Sequence, residues 1–295
     1  MHDLTEAQLS AIKQHLLDCG QQARQLAAQP FQVFEKGAND YVTTVDQALD
    51  DHLLNAFQTL FPQDAVITEE NFKSKQTYQQ EHRRYWFIDP IDGTEDFMQR
   101  GLGYAVMVGL LAQDRPAAGW VYAPAFERLY WGGEGWGLFE QGPDAVPAAL
   151  TPQPPVPVNG PVCPIMIGDK DERRFGDAIA QEIPNAQFKS LGSFGLKVLE
   201  VIQGRVGLYL YLNGRVKLWD TTGPLALARA AGLVCCDLEG NPLHFDATAV
   251  DIHTLAHQQS ILVGWPEYMD ALRPAIKRAA AAVLAGEVQS NIQCP

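Results

Sequence analysis

The first sixty residues contain two stretches in which apolar side chains recur at alternating spacings of three and four. This spacing places the side chains on one face of a helix. The first stripe covers residues 9–26 and the second covers residues 45–60. We predict that the second helix starts near Thr44, with Gln47 at the capping-box position. A loop over residues 36–40 is expected between the two helices.

Short runs rich in β-branched and aromatic residues follow the second stripe. They lie at residues 65–68, 85–88, 104–111, 120–122 and 129–131. Such runs, bounded by turn residues, are typical of strands. Because they are close together in sequence, we predict a largely antiparallel sheet flanked by the two helices.

The composition changes between residues 141 and 164, where eight prolines occur. Proline lacks the N–H that helices and central strands need, so this stretch is predicted to be a loop. Helical and strand-like patterns alternate after it, which is typical of an α/β layer. We therefore predict an N-terminal α+β domain over residues 1–150 and a C-terminal α/β domain over residues 151–295.

The composition limits the classes of partner. The chain has 295 residues, of which 46% are hydrophobic and 19% charged, as in ordinary globular proteins. Its 22 Lys and Arg residues against 35 Asp and Glu residues give a net charge of −13. A protein this acidic lacks the positive surface that binds a nucleic-acid polymer, although metal cations could join it to a small anion. The chain contains no apolar run long enough for a transmembrane helix, so no membrane partner is expected.

Cysteine usage indicates a reduced compartment. The five cysteines are odd in number and show no C-x-x-C spacing, which argues against a zinc site or a disulfide framework. The first residues are polar and acidic, unlike a signal peptide. We therefore expect a cytoplasmic protein.

The strongest chemical signal is the segment Asp-Pro-Ile-Asp-Gly-Thr at 89–94, which follows an apolar strand. The strand end would fix Asp89, and the proline would force a turn that brings Asp92 back towards it. The N–H groups of Gly93 and Thr94 would then point at an anion. Buried carboxylates this close repel each other unless cations join them, and Mg²⁺ prefers such oxygen ligands. An aspartate-rich surface turn is the simpler alternative.

Three further acids are candidates for the same site. Glu69 ends a short apolar strand that could lie beside the strand before the paired aspartates. Asp220 precedes a helix of small residues predicted over 222–231, where it would be the N-cap and, if buried, a metal ligand. Asp46 lies in the first turn of the second helix, and with Thr94 it could hold and deprotonate a water molecule. Each acid also has an ordinary explanation, as a strand end, a cap or a partner of the helix dipole.

Five ordered motifs resemble the inositol monophosphatase superfamily of Mg²⁺-dependent, lithium-sensitive phosphatases. They are Asp-Tyr-Val-Thr-Thr-Val-Asp at 40–46, Glu-Glu at 69–70, Asp-Pro-Ile-Asp-Gly-Thr at 89–94, Gly-Ser at 192–193 and Trp-Asp at 219–220. The resemblance implies a five-layer αβαβα sandwich with the site between its two halves. It also implies a phosphomonoesterase that acts on a small phosphorylated metabolite.

The resemblance implies a role for each acid. Glu69, Asp89 and the Ile91 carbonyl would bind a first Mg²⁺, whereas Asp89, Asp92 and Asp220 would bind a second. A third, weaker ion would lie at Glu69. Two such ions would clamp the phosphate and lower the pKa of the attacking water.

The same resemblance implies that the amides of Gly93 and Thr94 bind the phosphate, and that Thr94 and Asp46, together with Glu69, carry the catalysis. The segments at 92–97, 121–124, 195–199, 217–221 and 240–243 resemble the 3'(2'),5'-bisphosphate nucleotidase branch, which converts 3'-phosphoadenosine 5'-phosphate to AMP and phosphate. The expected substrate contacts are Gly192, Ser193, Lys197, Arg215 and Lys217. Of these, Arg215 and Lys217 form a basic pair that could meet a second phosphate. Where that branch often has Lys-Glu after Gly-Thr, this chain has Glu-Asp at 95–96. An inositol monophosphatase or a fructose 1,6-bisphosphatase stays open as the alternative.

Two other functions compete with a metal-dependent phosphatase. A non-catalytic metal- or anion-binding regulator would have lost a ligand, yet every candidate ligand is present. A histidine-based hydrolase needs paired histidines. His253 and His257 are four apart but lie in a loop-like segment, so we predict that they are solvated or capping residues. A homodimer is left open.

Overall fold

The computed structural model describes residues 4–37, 40–80 and 82–292. Its N-terminal layer consists of two helices, α1 (Glu6–Ala27) and α2 (Thr44–Leu60), at the positions that the apolar stripes predicted. The apolar faces of both helices are buried in one cluster with a face of the neighbouring sheet. Burial of these stripes, and not helix propensity alone, therefore holds the layer in place.

Between the two helices the chain forms an antiparallel hairpin of β1 (Val33–Gly37) and β2 (Asp40–Thr43). The prediction of a loop over residues 36–40 is wrong at its described ends, because β1 includes residues 36 and 37, and residue 40 begins β2. Residues 38 and 39 lie outside the described residues.

α2 begins at Thr44, as predicted, but its capping residues differ from the prediction by one position. Thr43 is the N-cap, and its hydroxyl accepts the N–H groups of Val45 at 3.1 Å and Asp46 at 3.3 Å. Asp46 completes the capping box by accepting the Thr43 N–H at 2.9 Å. Gln47 is therefore not the capping-box residue, because the third position counted from Thr43 is Asp46.

The large sheet has seven strands within the described residues, and their order in space follows their order in the chain. β3 and β4 are parallel, and every later pair is antiparallel, as the sequence predicted. The strands are β3 (Ala65–Thr68), β4 (Arg84–Asp92), β5 (Ala105–Ala112), β6 (Arg115–Ala123), β7 (Arg128–Gly133), β8 (Gly137–Gln141) and β9 (Ala148–Ala149). Two short helices, α3 (Phe72–Lys75) and α4 (Thr94–Met98), follow β3 and β4.

The proline-rich stretch contains no helix over its described residues 141–164, and β9 within it is an edge strand. Residues 163 and 164 begin a strand that lies between two others, so the loop prediction is wrong there. After this stretch the chain forms the small sheet, which has five strands in the described part of the chain. The strands are β10 (Cys163–Ile167), β11 (Ala186–Lys189), β12 (Leu208–Tyr211), β13 (Val234–Cys236) and β14 (Ile261–Gly264). The helices of this part are α5 (Asp169–Glu182), α6 (Phe194–Ile202), α7 (Leu218–Ala230) and α8 (Pro266–Ile292).

These elements stack in five layers. α1 and α2 cover one face of the large sheet, whereas α6 and α7 lie between the two sheets in a continuous apolar cluster. α5 and α8 pack together on the outer face of the small sheet. The predicted αβαβα sandwich is confirmed.

The contact between α7 and the large sheet is unusually close. A Cβ atom added at Gly109 would lie 2.3 Å from the Gly223 nitrogen, and one at Gly119 would lie 2.0 Å from the Gly223 oxygen. Only glycine therefore permits this approach of helix to sheet. The approach brings the first turn of α7 towards the end of β4.

α7 begins at Leu218 and not at the predicted residue 222. Lys217 is its N-cap, and Asp220 occupies the third helical position instead of the predicted N-cap. Gly223 and Pro224 are both buried in the helix, where tertiary packing outweighs their poor helix propensity.

In the described part of the chain, no helix combines the length and the apolar character needed to cross a membrane. The division of the chain into units of 1–150 and 151–295 stays a prediction.

Candidate metal and phosphate site

The end of β4 carries the two paired aspartates. Asp89 lies opposite Met107 and Asp92 lies opposite Ala105, so three steps along β4 match two steps along β5. The ladder therefore contains a bulge between Asp89 and Asp92. In a regular strand two residues three apart point to opposite faces, and the extra residue of a bulge re-aims the second side chain. The proline between the aspartates had predicted a turn at this position.

Asp220 completes a group of three converging carboxylates. One carboxylate oxygen from each of Asp89, Asp92 and Asp220 lies within 4.8 Å of the other two. The Oδ2 atom of Asp220 accepts the Lys217 N–H at 2.7 Å, which fixes the orientation of this carboxylate at the start of α7. Residues from β4 and α7, far apart in sequence, thus meet as the sequence predicted.

Glu69 lies beside this group because β3 pairs in parallel with β4. Its N–H donates to the Ile88 carbonyl at 3.1 Å, directly before Asp89. We call Glu69, Asp89, Asp92 and Asp220 the acidic cluster. The Lys36 ammonium, on the hairpin, lies 2.9 Å from a Glu69 oxygen and forms an ion pair with it.

The acidic cluster is electrostatically costly without a cation. Burial, and then the charge of Glu69, raise the pKa of Asp89 well above its ordinary value. Burial, and then the charge of Asp92, do the same to the pKa of Asp220. Buried, converging carboxylates with only oxygen donors fit a hard divalent cation such as Mg²⁺. The chemistry of the donor set therefore matches the metal that the family resemblance implies.

Asp92 accepts two hydrogen bonds that favour its charged form. Burial raises its pKa to about 6, and this rise is limited by hydrogen bonds from Ser193 and Gly195. The Ser193 hydroxyl and the Gly195 N–H both donate to the same Asp92 oxygen, the latter at 3.0 Å. Ser193 is also the N-cap of α6 and accepts the Leu196 N–H at 3.1 Å. The predicted contact residue Ser193 therefore lies against an acid of the cluster.

Thr94 and Asp46 are also brought together. The Thr94 hydroxyl lies 3.2 Å from an Asp46 oxygen and 3.0 Å from the Ile91 carbonyl, and its single proton can be donated to one of them at a time. The other Asp46 oxygen accepts the hydroxyl and the N–H of Thr43. Burial raises the pKa of Asp46, which makes its carboxylate a stronger base. The capping box of α2 thus also orients Asp46.

Gly93 joins β4 to α4 in a conformation that favours glycine, with φ of +92°. A Cβ atom on it would lie 2.8 Å from the Gly103 oxygen and 3.0 Å from the Ser193 nitrogen. As the N-cap and first residue of α4, Gly93 and Thr94 present N–H groups that no helical carbonyl accepts. These groups are available to an anion beside the acidic cluster.

The other expected substrate contacts differ in position. Lys197 is buried, and its ammonium donates to the Gly192 carbonyl at 3.1 Å, so it faces the interior beneath the site. Arg215 is exposed, whereas Lys217 is half-buried next to Asp220. The structure therefore places only Lys217 of the basic pair beside the acidic cluster.

The Glu-Asp pair that follows Thr94 has structural partners. Glu95 forms an exposed ion pair with Lys170 at 3.1 Å. Asp96 accepts the Gly192 N–H at 3.2 Å and so ties the end of α4 to the segment before α6.

The sequence missed several residues near the site. Lys36 lies on β1 and not in the predicted loop. Lys75 lies on α3, in a segment that carries no predicted motif, and its ammonium lies 4.5 Å from the centre of the Trp219 ring. His257 was predicted to be solvated or capping but is fully buried, with Nε2 2.8 Å from the Thr221 hydroxyl. That prediction is wrong because the loop folds back beneath α7, whereas His253 is exposed as predicted.

Comparison with known proteins agrees with this geometry. A model of the inositol monophosphatase family matches residues 3–273. The 3'(2'),5'-bisphosphate nucleotidase CysQ of Escherichia coli O157:H7 is 31% identical over 218 residues, which are 74% of this chain and 85% of that protein. The fructose-1,6-bisphosphatase/inositol-1-monophosphatase of Aquifex aeolicus is 37% identical over 108 residues, which are 37% of this chain and 39% of that protein.

A solved structure shows the same fold. The extragenic suppressor protein suhB from Bartonella henselae matches with a TM-score of 0.74 at 21% identity, covering 92% of this chain and 99% of that one. The family model matches nearly the whole chain, and the shared fold agrees with it. The chain therefore belongs to the inositol monophosphatase family and is a phosphatase.

Proposed function

We propose that the chain is a Mg²⁺-dependent phosphomonoesterase whose substrate is a 3'(2'),5'-bisphosphate nucleotide. The observation that carries the proposal is the convergence of oxygen atoms from Asp89, Asp92 and Asp220 within 4.8 Å of one another. In this proposal Glu69, Asp89 and the Ile91 carbonyl would hold one Mg²⁺. Asp89, Asp92 and Asp220 would hold a second, and Glu69 would hold a third, weaker ion. Bound Mg²⁺ would supply positive charge that acidifies the attacking water and offsets the charge of the leaving oxygen.

The protein's own groups move the proton and hold the phosphate. Asp46 accepts the Thr94 hydroxyl proton in a hydrogen bond, which leaves the Thr94 oxygen lone pairs free to accept a proton from the attacking water. Because burial raises the pKa of Asp46, its carboxylate can take up the proton that Thr94 gives away. The N–H groups of Gly93 and Thr94 bind the phosphate oxygens, whose negative charge they favour.

Two further parts of the proposal concern the frame of the site. The N-terminal unit, residues 1–150, contributes most ligands, and the C-terminal unit, residues 151–295, contributes Asp220. Ser193 and the backbone of Gly192 line the leaving-group side. Lys197 supports that side from beneath through the Gly192 carbonyl.

The substrate is assigned by similarity. The relative whose alignment covers 74% of this chain is a bisphosphate nucleotidase. The Aquifex aeolicus relative favours a second candidate, an inositol monophosphate or fructose 1,6-bisphosphate, although its alignment covers only 37% of the chain. We therefore rank the nucleotide first.

Side-by-side phosphate release tests the proposal. 3'-Phosphoadenosine 5'-phosphate, inositol 1-phosphate and fructose 1,6-bisphosphate would be supplied at equal concentration with Mg²⁺, and then with millimolar Li⁺ added. We expect the highest kcat/KM for the nucleotide, no turnover without a divalent cation and inhibition by Li⁺. Preference for either other substrate would reject the nucleotide assignment. A folded protein that releases phosphate from none of them would be a binding protein.

A further inference from the structure

The rim of the acidic cluster carries a lysine that the proposed mechanism does not use. Lys75 is half-buried on α3, and its ammonium lies 4.5 Å from the centre of the Trp219 ring, directly before Asp220 in sequence. Among the described residues the Lys75 ammonium makes no hydrogen bond or ion pair. A cation held over an aromatic face, but without a carboxylate partner, is able to accept an anion.

The charges around Lys75 place it beside the site. Burial is the main cause that lowers its pKa, and the charges that act on it are those of Glu69, Lys36, Glu70 and Lys217. Lys36 is already engaged by Glu69 at 2.9 Å and Glu70 at 2.7 Å. Lys217 forms no ion pair in the described part of the chain. Lys75 and Lys217, which we call the cationic rim, are therefore the two ammonium groups here without an acidic partner.

Metal loading would increase the effect of the cationic rim. Two divalent cations would cancel the four carboxylates of the acidic cluster, so the charges on Lys75 and Lys217 would no longer be offset. A phosphate group bound by those cations would leave the rim within reach of a second anionic group on the same substrate. A substrate with one phosphate and a neutral leaving group would leave these charges unused.

We infer that the cationic rim, with the Trp219 ring beneath Lys75, is the subsite that binds the second phosphate of a bisphosphate substrate. This inference rests on the proposed function and names the residues that select within it. It replaces Arg215, which is exposed, by Lys75, which no sequence motif indicated. It also explains how the site can bind a second phosphate although the chain has Glu-Asp at 95–96.

Paired substrates test the inference. 3'-Phosphoadenosine 5'-phosphate and 3'-AMP lose the same 3'-phosphate and differ only in the second phosphate group. The variant Lys75→Met keeps an unbranched side chain of similar length and removes the charge. We expect KM for the bisphosphate to rise about tenfold, the effect of one charge-assisted hydrogen bond, with kcat and the KM for 3'-AMP little changed. Lys217→Met should act in the same direction.

The matched control is Lys73→Met, an exposed lysine on the same helix, which should change neither substrate. A second readout needs no turnover: calorimetric binding of AMP, which retains the 5'-phosphate, should weaken about tenfold in Lys75→Met. Equal losses for both substrates, or no loss in either assay, would overturn the inference. If the parent hydrolyses neither nucleotide, the proposed function fails, and AMP binding still decides whether the subsite exists.

Discussion

The first turns of α2 and the end of β4 both bury aspartates, but they satisfy them differently. Asp50 on α2 has a donor for each oxygen: the Thr68 hydroxyl at 2.8 Å and the Glu70 N–H at 3.1 Å. Asp89 on β4 accepts the Ile91 N–H at 2.9 Å, and the other groups acting on it are carboxylates. Burial raises the pKa of Asp50 only to about 6, whereas the pKa of Asp89 is raised well above its ordinary value.

The comparison separates the surroundings of Asp50 from those of Asp89. A carboxylate surrounded by dipoles, such as Asp50, is accommodated by the protein alone. Carboxylates that face one another destabilise the fold until a cation binds, so their arrangement is explained by the ligand. Burial alone would not distinguish the two aspartates, because both are almost fully buried.

The largest difference in activity should appear when Asp89 and Asp50 are each replaced by asparagine. Asp89→Asn should lower kcat by on the order of 10³-fold or more, because an oxygen ligand shared by two metals becomes a neutral amide. Asp50→Asn is the matched control and should stay within a few-fold of the parent. Phosphate release at saturating Mg²⁺ measures both. Near-parental turnover in Asp89→Asn would show that the metal assignment is wrong.

The same two variants should also differ in thermal stability. Without divalent cations, Asp89→Asn should melt at a higher temperature than the parent, because mutual repulsion is relieved. Added Mg²⁺ should then stabilise the parent and Asp50→Asn but not Asp89→Asn. Stabilisation of all three proteins to the same degree would place the cation elsewhere.

An intermediate effect is expected at Thr94, where the two regions meet through Asp46. Thr94→Val removes the hydroxyl and should lower kcat by roughly 10² to 10³, the range of a lost proton relay. Thr94→Ser keeps the hydroxyl and should recover most of the rate. The relay would be rejected if both variants had the same kcat at saturating substrate.

The smallest effect is a difference in pH dependence. Since the pKa of Asp50 is raised to about 6, its ionisation makes the fold less stable as pH rises from about 4 to 6. Burial lowers the pKa of His257 to about 4, so protonation as pH falls from 6.5 to 4 destabilises the fold, by about 3 kcal/mol in total. The two groups therefore act with opposite signs.

Urea unfolding between pH 4 and 7, without Mg²⁺, resolves these two contributions. Relative to the parent, Asp50→Asn should gain stability more steeply with rising pH, and His257→Gln should gain it less steeply. Parallel curves for all three proteins would mean that neither group titrates differently in the folded and unfolded states.

Local patterns determined much of the fold. The three-and-four spacing predicted α1 and α2, and the alternating runs predicted the central strands of the large sheet, because side-chain periodicity directly reflects which face is buried. The turn at Asp89 and Asp92 was also predictable, since a strand end, a proline and a glycine define it locally. The αβαβα layering followed only from the resemblance of five motifs to a family.

Tertiary structure decided the rest. The start of α7 at Leu218 depends on Gly223 packing against Gly109 and Gly119, a contact between distant segments that overrides local helix-breaking signals. The same packing brings Asp220 to the aspartates of β4. The position of Lys75 over Trp219 has no local pattern at all. The motifs thus identify the acids that could carry the chemistry. The neighbours of each side chain depend on packing, because periodicity and turn signals act over a few residues, whereas these contacts join distant segments.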